Sequence, residues 1–245
     1  MTDFEYYRAA KTFYEAGAIF QEATKSPDHP KGFSASKASE VLIAAVTNTW
    51  LKKHHGNAHI TLDTAATGKD GFLSYDAGPA SSTHAVEIKS SKGTQFLFGR
   101  KFLPSNSTHH KTDKETDPKV CAFKQHVMVA MGQFSDNKLK CLYITHGPEV
   151  MKRLAKELEN DTQRDSYKPD NRGELRIFTA TQPVAVAGKE NGKGARKASC
   201  TGLNNLAETC FPYTSSAPDF RNANWIKVLQ GHEIKAIIQE LESSN

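Results

Sequence analysis

Along the first part of the chain the apolar positions recur at helical intervals. In residues 3–24, Phe4, Tyr7, Phe13, Ile19 and Phe20 stand among charges, a spacing that predicts a helical segment. Pro27 and Pro30 break it. A second helix, capped by Ser34 or Ser36, is predicted to run to about Lys53, with Val41, Leu42, Ala45 and Trp50 on one side and Gly56 at its end.

From His59 the pattern changes to short β-prone runs. His59–Leu62 is one and Gly71–Tyr75 the next; His84–Lys89 returns after the turn cluster Ala77-Gly78-Pro79-Ala80-Ser81-Ser82. Two such runs joined by glycine, proline and serine predict a β-hairpin. Residues 92–117 are polar, with Phe96, Phe98 and Phe102 embedded, and show no clear period. Stretches of that kind are usually functional or disordered. Asp117-Pro118 opens a predicted helix that reaches about Met131, with Gly132 closing it. Leu139–Thr145 reads as a strand, Glu149–Leu158 as a helix and Glu174–Thr179 as another strand. Residues 187–204, rich in glycine and lysine, read as loop, and Trp225–Leu241 as one or two helices. No repeat and no linker divides the chain, so one mixed α/β domain over residues 1–245 is expected.

Composition narrows the class without choosing a chemistry. The 245 residues are enough for one good-sized core, and 38% hydrophobic with 24% charged residues is ordinary for a soluble globular protein. Lysine and arginine exceed aspartate and glutamate by 32 to 27, a mild excess that suits a polyanionic partner without requiring one. Cys121, Cys141, Cys200 and Cys210 lack the close spacing of a zinc knuckle and are too few for a disulfide scaffold. Reduced thiols are expected. The acidic start Met1-Thr2-Asp3-Phe4-Glu5 has no apolar signal core, and the apolar run Val41–Val46 is too short to span a bilayer. A soluble cytoplasmic protein is the expectation.

The hairpin changes the picture. Metal-assisted phosphodiester hydrolysis needs hard oxygen ligands that hold magnesium against a phosphate, and a polarised water in line with the leaving oxygen. Asp70 opens the first predicted strand; Glu87 and Lys89 lie on the returning one. Residues two apart on a strand share a face, so Glu87 and Lys89 point together while Ile88 points into the core. A turn centred near Pro79 sets Asp70 roughly opposite residue 88 or 89, within reach of Glu87. The same three letters recur at Glu233-Ile234-Lys235, but there the apolar spacing is helical and no aspartate-bearing hairpin precedes them. That copy reads as a solvated helix face.

Asp70, a hairpin, and then apolar-Glu87-Ile88-Lys89 resemble the PD-(D/E)XK nuclease superfamily, which includes most type II restriction endonucleases and the lambda exonuclease group. The resemblance covers about residues 34–145. It implies a restriction-endonuclease-like α/β core, a mixed central β-sheet flanked by helices. It also implies that Asp70 and Glu87, with Ile88 through its main chain, bind Mg2+, and that Lys89 positions or activates the attacking water. Lys69 stands where the family often has proline, which leaves Asp76 as the other candidate aspartate. Asp76 adjoins the turn and would face away from Glu87, so Asp70 is preferred. Many members carry an acidic residue on the preceding helix, a place Glu40 fits. A helix and then a strand follow the active-site strand in the family, an order that Phe123–Val129 and Leu139–Thr145 match. In the exonuclease branch a glutamine on that helix contacts the site; here it would be Gln125, although the tyrosine usual one turn later is Val129.

Weaker signals lie elsewhere. The loop Gly188–Lys197 combines flexible backbone with cations, of which Lys193, Arg196 and Lys197 suit a phosphate backbone. Arg100 and Lys101, with Asn106, His109, His110 and Lys111, are types that contact DNA or read base edges. His54-His55 and His109-His110 read as polar surface. The expected function is magnesium-dependent, sequence-specific cleavage of double-stranded DNA by a homodimeric type II restriction endonuclease. The alternatives are a recombination or repair exonuclease, and a non-catalytic DNA-binding module on a nuclease fold.

Overall fold

The computed structural model describes residues 8, 10–11, 35–56, 58–63, 70–75, 84–104, 122–136, 138–164, 167, 175–184, 198–215 and 223–243. Of the predicted 3–24 helix, Arg8, Ala10 and Lys11 are helical and the remainder lies outside the described residues. The chain is α/β, with a mixed central sheet of six strands flanked by helices. It divides into two compact units, one of Met1–Gly93, Val129–Ile144 and Val228–Asn245, the other of Thr94–Met128 and Thr145–Lys227.

In the first unit the predicted second helix forms as α1 (Ala35–His55), which buries Leu42, Ile43, Val46, Trp50 and Leu51 and stops at Gly56. It lies on β1 (His59–Leu62) and β3 (His84–Ser91). Asn48 fixes that packing like a strand residue. Its Nδ2 donates to the Ile60 carbonyl at 2.9 Å, and its Oδ1 accepts from the Ile60 N–H at 2.7 Å. Between those strands in sequence comes β2 (Gly71–Ser74), antiparallel to both, with His59 opposite Ser74 and Gly71 opposite Val86. The sheet continues β3, β5 (His126–Ser135), β6 (Lys138–His146), β10 (Trp225–Gln230).

Two of these strands correct the sequence reading. Residues 117–131 were expected to be helical, yet 122–125 form a 3-10 turn and 126–135 a strand, while 117–121 lie outside the described residues. Val129, Ala130 and Met131 are all fully buried, so both faces of the strand are covered. Such a run has neither a period of 2 nor of 3.6 and does not reveal its geometry. Gly132 is not a helix stop but a point of close approach. A Cβ there would sit 2.6 Å from Ile43 Cγ1 and 2.7 Å from its Cδ1. Gly132→Ala should therefore destabilise the fold by about 1–3 kcal/mol, the usual range for overpacking, read from the shift in a urea midpoint. The second correction is β10, expected as helix. Gly231, at φ +55, turns the chain out of it into α3 (His232–Ser243), which packs along α1 and buries Ile234, Ile237 and Leu241.

In the second unit the stretch read as aperiodic is ordered over its first part. There β4 (Gln95–Phe98) pairs antiparallel with β7 (Leu175–Phe178), and a 3-10 turn follows at Arg100–Phe102. Phe98, Phe102 and Phe123 meet with ring centroids 4.7–5.5 Å apart, so the embedded aromatics form core. The helix expected at Glu149–Leu158 forms as α2 (Pro148–Asp161). Its first turn is closed by Asn224, whose Oδ1 accepts from the Glu149 N–H at 2.8 Å. Within the expected loop 187–204, residues 198–200 are a strand, β9 (Ala198–Cys200), paired with β8 (Gln182–Val184). A helical turn, Leu203–Asn205, then runs into a π turn, Leu206–Cys210.

Candidate active site

The first unit brings Asp70, Glu87 and Lys89 together. Asp70 stands just before β2, and its backbone is held from two sides. Its carbonyl accepts from the Asp63 N–H at 3.0 Å, and its own N–H donates to the Val86 carbonyl at 3.3 Å. The expected offset, Asp70 opposite residue 88 or 89, is larger than the observed one, since Gly71 faces Val86. The side chain makes up the difference: Asp70 Oδ2 accepts from the Ile88 N–H at 2.7 Å. Ile88 is buried in the core, as the alternation of β3 requires. The Lys89 ammonium forms an ion pair with the Glu87 carboxylate and lies 3.9 Å from Asp70 Oδ2. Glu87 is only 2% exposed, while Asp70 and Lys89 are half-buried.

Burial is the main force on Asp70, and it pushes the carboxyl pKa above its ordinary value. The negative charge of Glu87 pushes in the same direction, and that of Glu40 adds to it. The Ile88 N–H and the Lys89 ammonium pull the other way. Glu40 is thus electrically part of this site. It occupies α1 one residue after Ser39, whose hydroxyl bonds that of Ser90 on β3 at 2.8 Å. The helix turn carrying Glu40 is so tied to the strand carrying Lys89.

A raised carboxyl pKa has a definite consequence for stability. The folded state holds the Asp70 proton more tightly than the unfolded chain does. Ionising Asp70 therefore costs stability as pH rises through its folded pKa, and costs nothing below the unfolded value. Asp70→Asn keeps a hydrogen-bond acceptor for Ile88 and removes the charge. Without divalent cations, Asp70→Asn should melt at a higher temperature than the parent near pH 7, with the difference vanishing towards pH 3. Equal melting curves at both pH values would refute the electrostatic account.

The chemistry of this donor set suits magnesium. Mg2+ is commonly held by one or two carboxylates, keeping several waters and taking its remaining oxygens from substrate phosphate. Asp70 and Glu87 are the two carboxylates that would serve. The Ile88 carbonyl would be a third oxygen, on the strand edge that its N–H shows to face Asp70, since a strand residue presents both groups to one neighbour. Like charges pressed together in a half-buried place are what a dication relieves. Among the described residues there is no group of three or more His, Cys, Asp or Glu side chains placed to hold a metal unaided.

The other sequence candidates stand elsewhere. Gln125 ends the 3-10 turn before β5 and is exposed, in the second unit, not on the α-helix expected for it. Arg100 is 6% exposed, and its positive charge lies close enough to Tyr167 to pull the phenol pKa down against the upward push of burial, so its guanidinium is buried inside the second unit. Its neighbour Lys101 is exposed, with Nζ 5.0 Å from the centroid of the Phe102 ring. Lys193, Arg196, Lys197, Asp76 and the pair His109-His110 lie outside the described residues. His54 and His55 both pack against Trp50 with centroids 5.2 Å apart. Burial, with the charge of His54 behind it, holds the His55 imidazole at a pKa of about 4, so it is neutral at pH 7. Cys141, Cys200 and Cys210 are free thiols.

A group that the sequence did not single out lies along α2. Glu157 and Asp161 are buried, and each is a backbone anchor as well as an ion-pair partner. Glu157 pairs with Arg153 at 2.7 Å and accepts from the Thr201 N–H at 2.7 Å. Asp161 lies 3.4 Å from Arg164 Nε and accepts from the Arg176 N–H at 2.9 Å. Arg153, Glu157 and Asp161 recur at intervals of four, a spacing that in sequence reads as a solvated, charge-laced helix face. Comparison of the chain with known protein families, with curated proteins and with solved structures finds no match.

Proposed function

We propose that this protein hydrolyses DNA phosphodiester bonds with magnesium at Asp70, Glu87 and Lys89, as a type II restriction endonuclease of the PD-(D/E)XK kind. It would act on double-stranded DNA as a cytoplasmic homodimer. The observation that carries this reading is the meeting of two carboxylates and a lysine at the open end of one hairpin, with the Asp70 carboxylate held by the Ile88 N–H. The second Glu-x-Lys copy, Glu233 and Lys235, stands on a helix and not on a hairpin.

In this reading Asp70 and Glu87 hold the cation, and Ile88 adds its carbonyl. Bound there, magnesium would withdraw charge from the scissile phosphate and favour ionisation of a water. Lys89 orients the attacking water and offsets negative charge on the phosphate. Glu40 adds negative charge beside Asp70 and so favours the cation over the empty pair. Water adds across one P–O bond, leaving a phosphate monoester and a hydroxyl. The 3-10 turn and strand over 122–135 take away the helix that both the family's element order and the exonuclease alternative counted on, so the reading leans on the hairpin alone.

Incubating the full chain with magnesium, circular plasmid and linear DNA tests the proposal. Discrete fragments from both substrates are expected. Degradation of linear DNA alone would replace the restriction reading with an exonuclease, and intact DNA beside measurable binding would replace it with a binding module.

A further inference from the structure

We propose that Lys89 is the resident counter-cation of the Asp70/Glu87 pair and that a divalent cation loads only as the lysine ammonium leaves it. The inference rests on the metal-dependent reading above and adds a competition that the reading does not require.

Its basis is the shared use of the same oxygens. The ammonium of Lys89 is ion-paired with Glu87 and is 3.9 Å from Asp70 Oδ2. The Glu87 side chain is 3% exposed, so water cannot screen its charge, and a buried carboxylate requires a cation or a proton close by. Asp70 cannot easily turn away to make room, because Oδ2 is held by the Ile88 N–H at 2.7 Å. A dication seated on the same two carboxylates would stand against the ammonium at contact range, where like charges in a half-buried place repel strongly. One of them has to move. Lysine is the mobile partner: its charge rides on a flexible four-carbon stem, and its side chain is 26% exposed. Metal entry and lysine release are then a single event. It turns the ammonium from the carboxylates towards the exposed side, where a phosphate and its attacking water would arrive. Without metal, Lys89 offsets one of the pair's two negative charges; with metal, it becomes free to act on substrate.

The test needs no DNA. Calorimetry with Mn2+ on the full chain should give a Kd at least about tenfold tighter for Lys89→Met than for the parent, because the competing charge is gone. In the unaltered protein, acylation of Lys89 by an amine-reactive reagent, followed by mass spectrometry, should rise on saturation with Ca2+. The exposed Lys52 serves as the unchanged reference. An unchanged or weaker Mn2+ affinity in Lys89→Met, or constant labelling of Lys89, would overturn the competition and leave the nuclease reading standing. Absence of Mn2+ binding to either protein would overturn both. If Lys89→Met does not fold, the labelling of the parent decides alone.

Discussion

Glu87→Gln and Asp70→Ala should each reduce magnesium-dependent DNA cleavage by at least about 10³-fold. A bound metal supplies several kcal/mol of transition-state stabilisation, and each 1.36 kcal/mol is a factor of ten in rate. The choice of substitution follows from burial. Asp70 is half-buried at a strand end, so removing its side chain costs the Ile88 N–H its acceptor but excavates no core. Glu87 is 2% exposed, and alanine there would also excavate packed volume; glutamine keeps the shape and removes the charge. Duplex binding should survive in both variants, because each loses a carboxylate that repels phosphate. The measurement is single-turnover cleavage of plasmid, with binding followed separately in Ca2+. Parental rates in either variant, or cleavage that persists in EDTA, would remove the metal assignment.

The second large effect separates the two Glu-x-Lys copies. Lys89→Ala should lower the cleavage rate by about 10²–10⁴-fold, the usual contribution of a side chain that handles a proton or orients the attacking water. Glu233→Gln and Lys235→Ala should change it less than twofold. Those two residues stand on α3, where Lys235 is exposed, Glu233 is half-buried and Ile234 between them faces the core. Substitutions at such positions rarely shift stability by more than about 0.5 kcal/mol. A dispensable Lys89 beside an essential Glu233 would place the chemistry on the terminal helix and end the hairpin argument.

Why the site was readable and much of its surroundings was not is a matter of range. The hairpin is local: a turn cluster, two short alternating runs and the two-residue period of a strand are enough to set Glu87 and Lys89 on one face and Ile88 in the core. The extent of α1 and its stop at Gly56 are visible in the letters, as is the helix at Glu149–Leu158, but Leu42–Asn48 are buried all round the helix and not on the one side that Val41, Leu42, Ala45 and Trp50 suggest. Burial at every position removes that information. Val127–Met131 carries no period to read, and a glycine inside a central strand resembles a helix stop until Ile43 is seen against it.

By itself, then, the sequence determined an α/β chain, a hairpin from Gly71 to Lys89 and the residue types at the candidate site, because these depend on neighbours within about twenty positions. Tertiary structure alone decided the rest. It made 126–135 a covered strand and 225–230 the sheet's last one, choices that depend on what packs over each segment. It buried Arg100 and made Glu157 and Asp161 of α2 buried backbone anchors. It also set Lys89 between two carboxylates and let Glu40 act on Asp70 from another element. Charge acts through space, and the distances that set its strength exist only after the chain has folded.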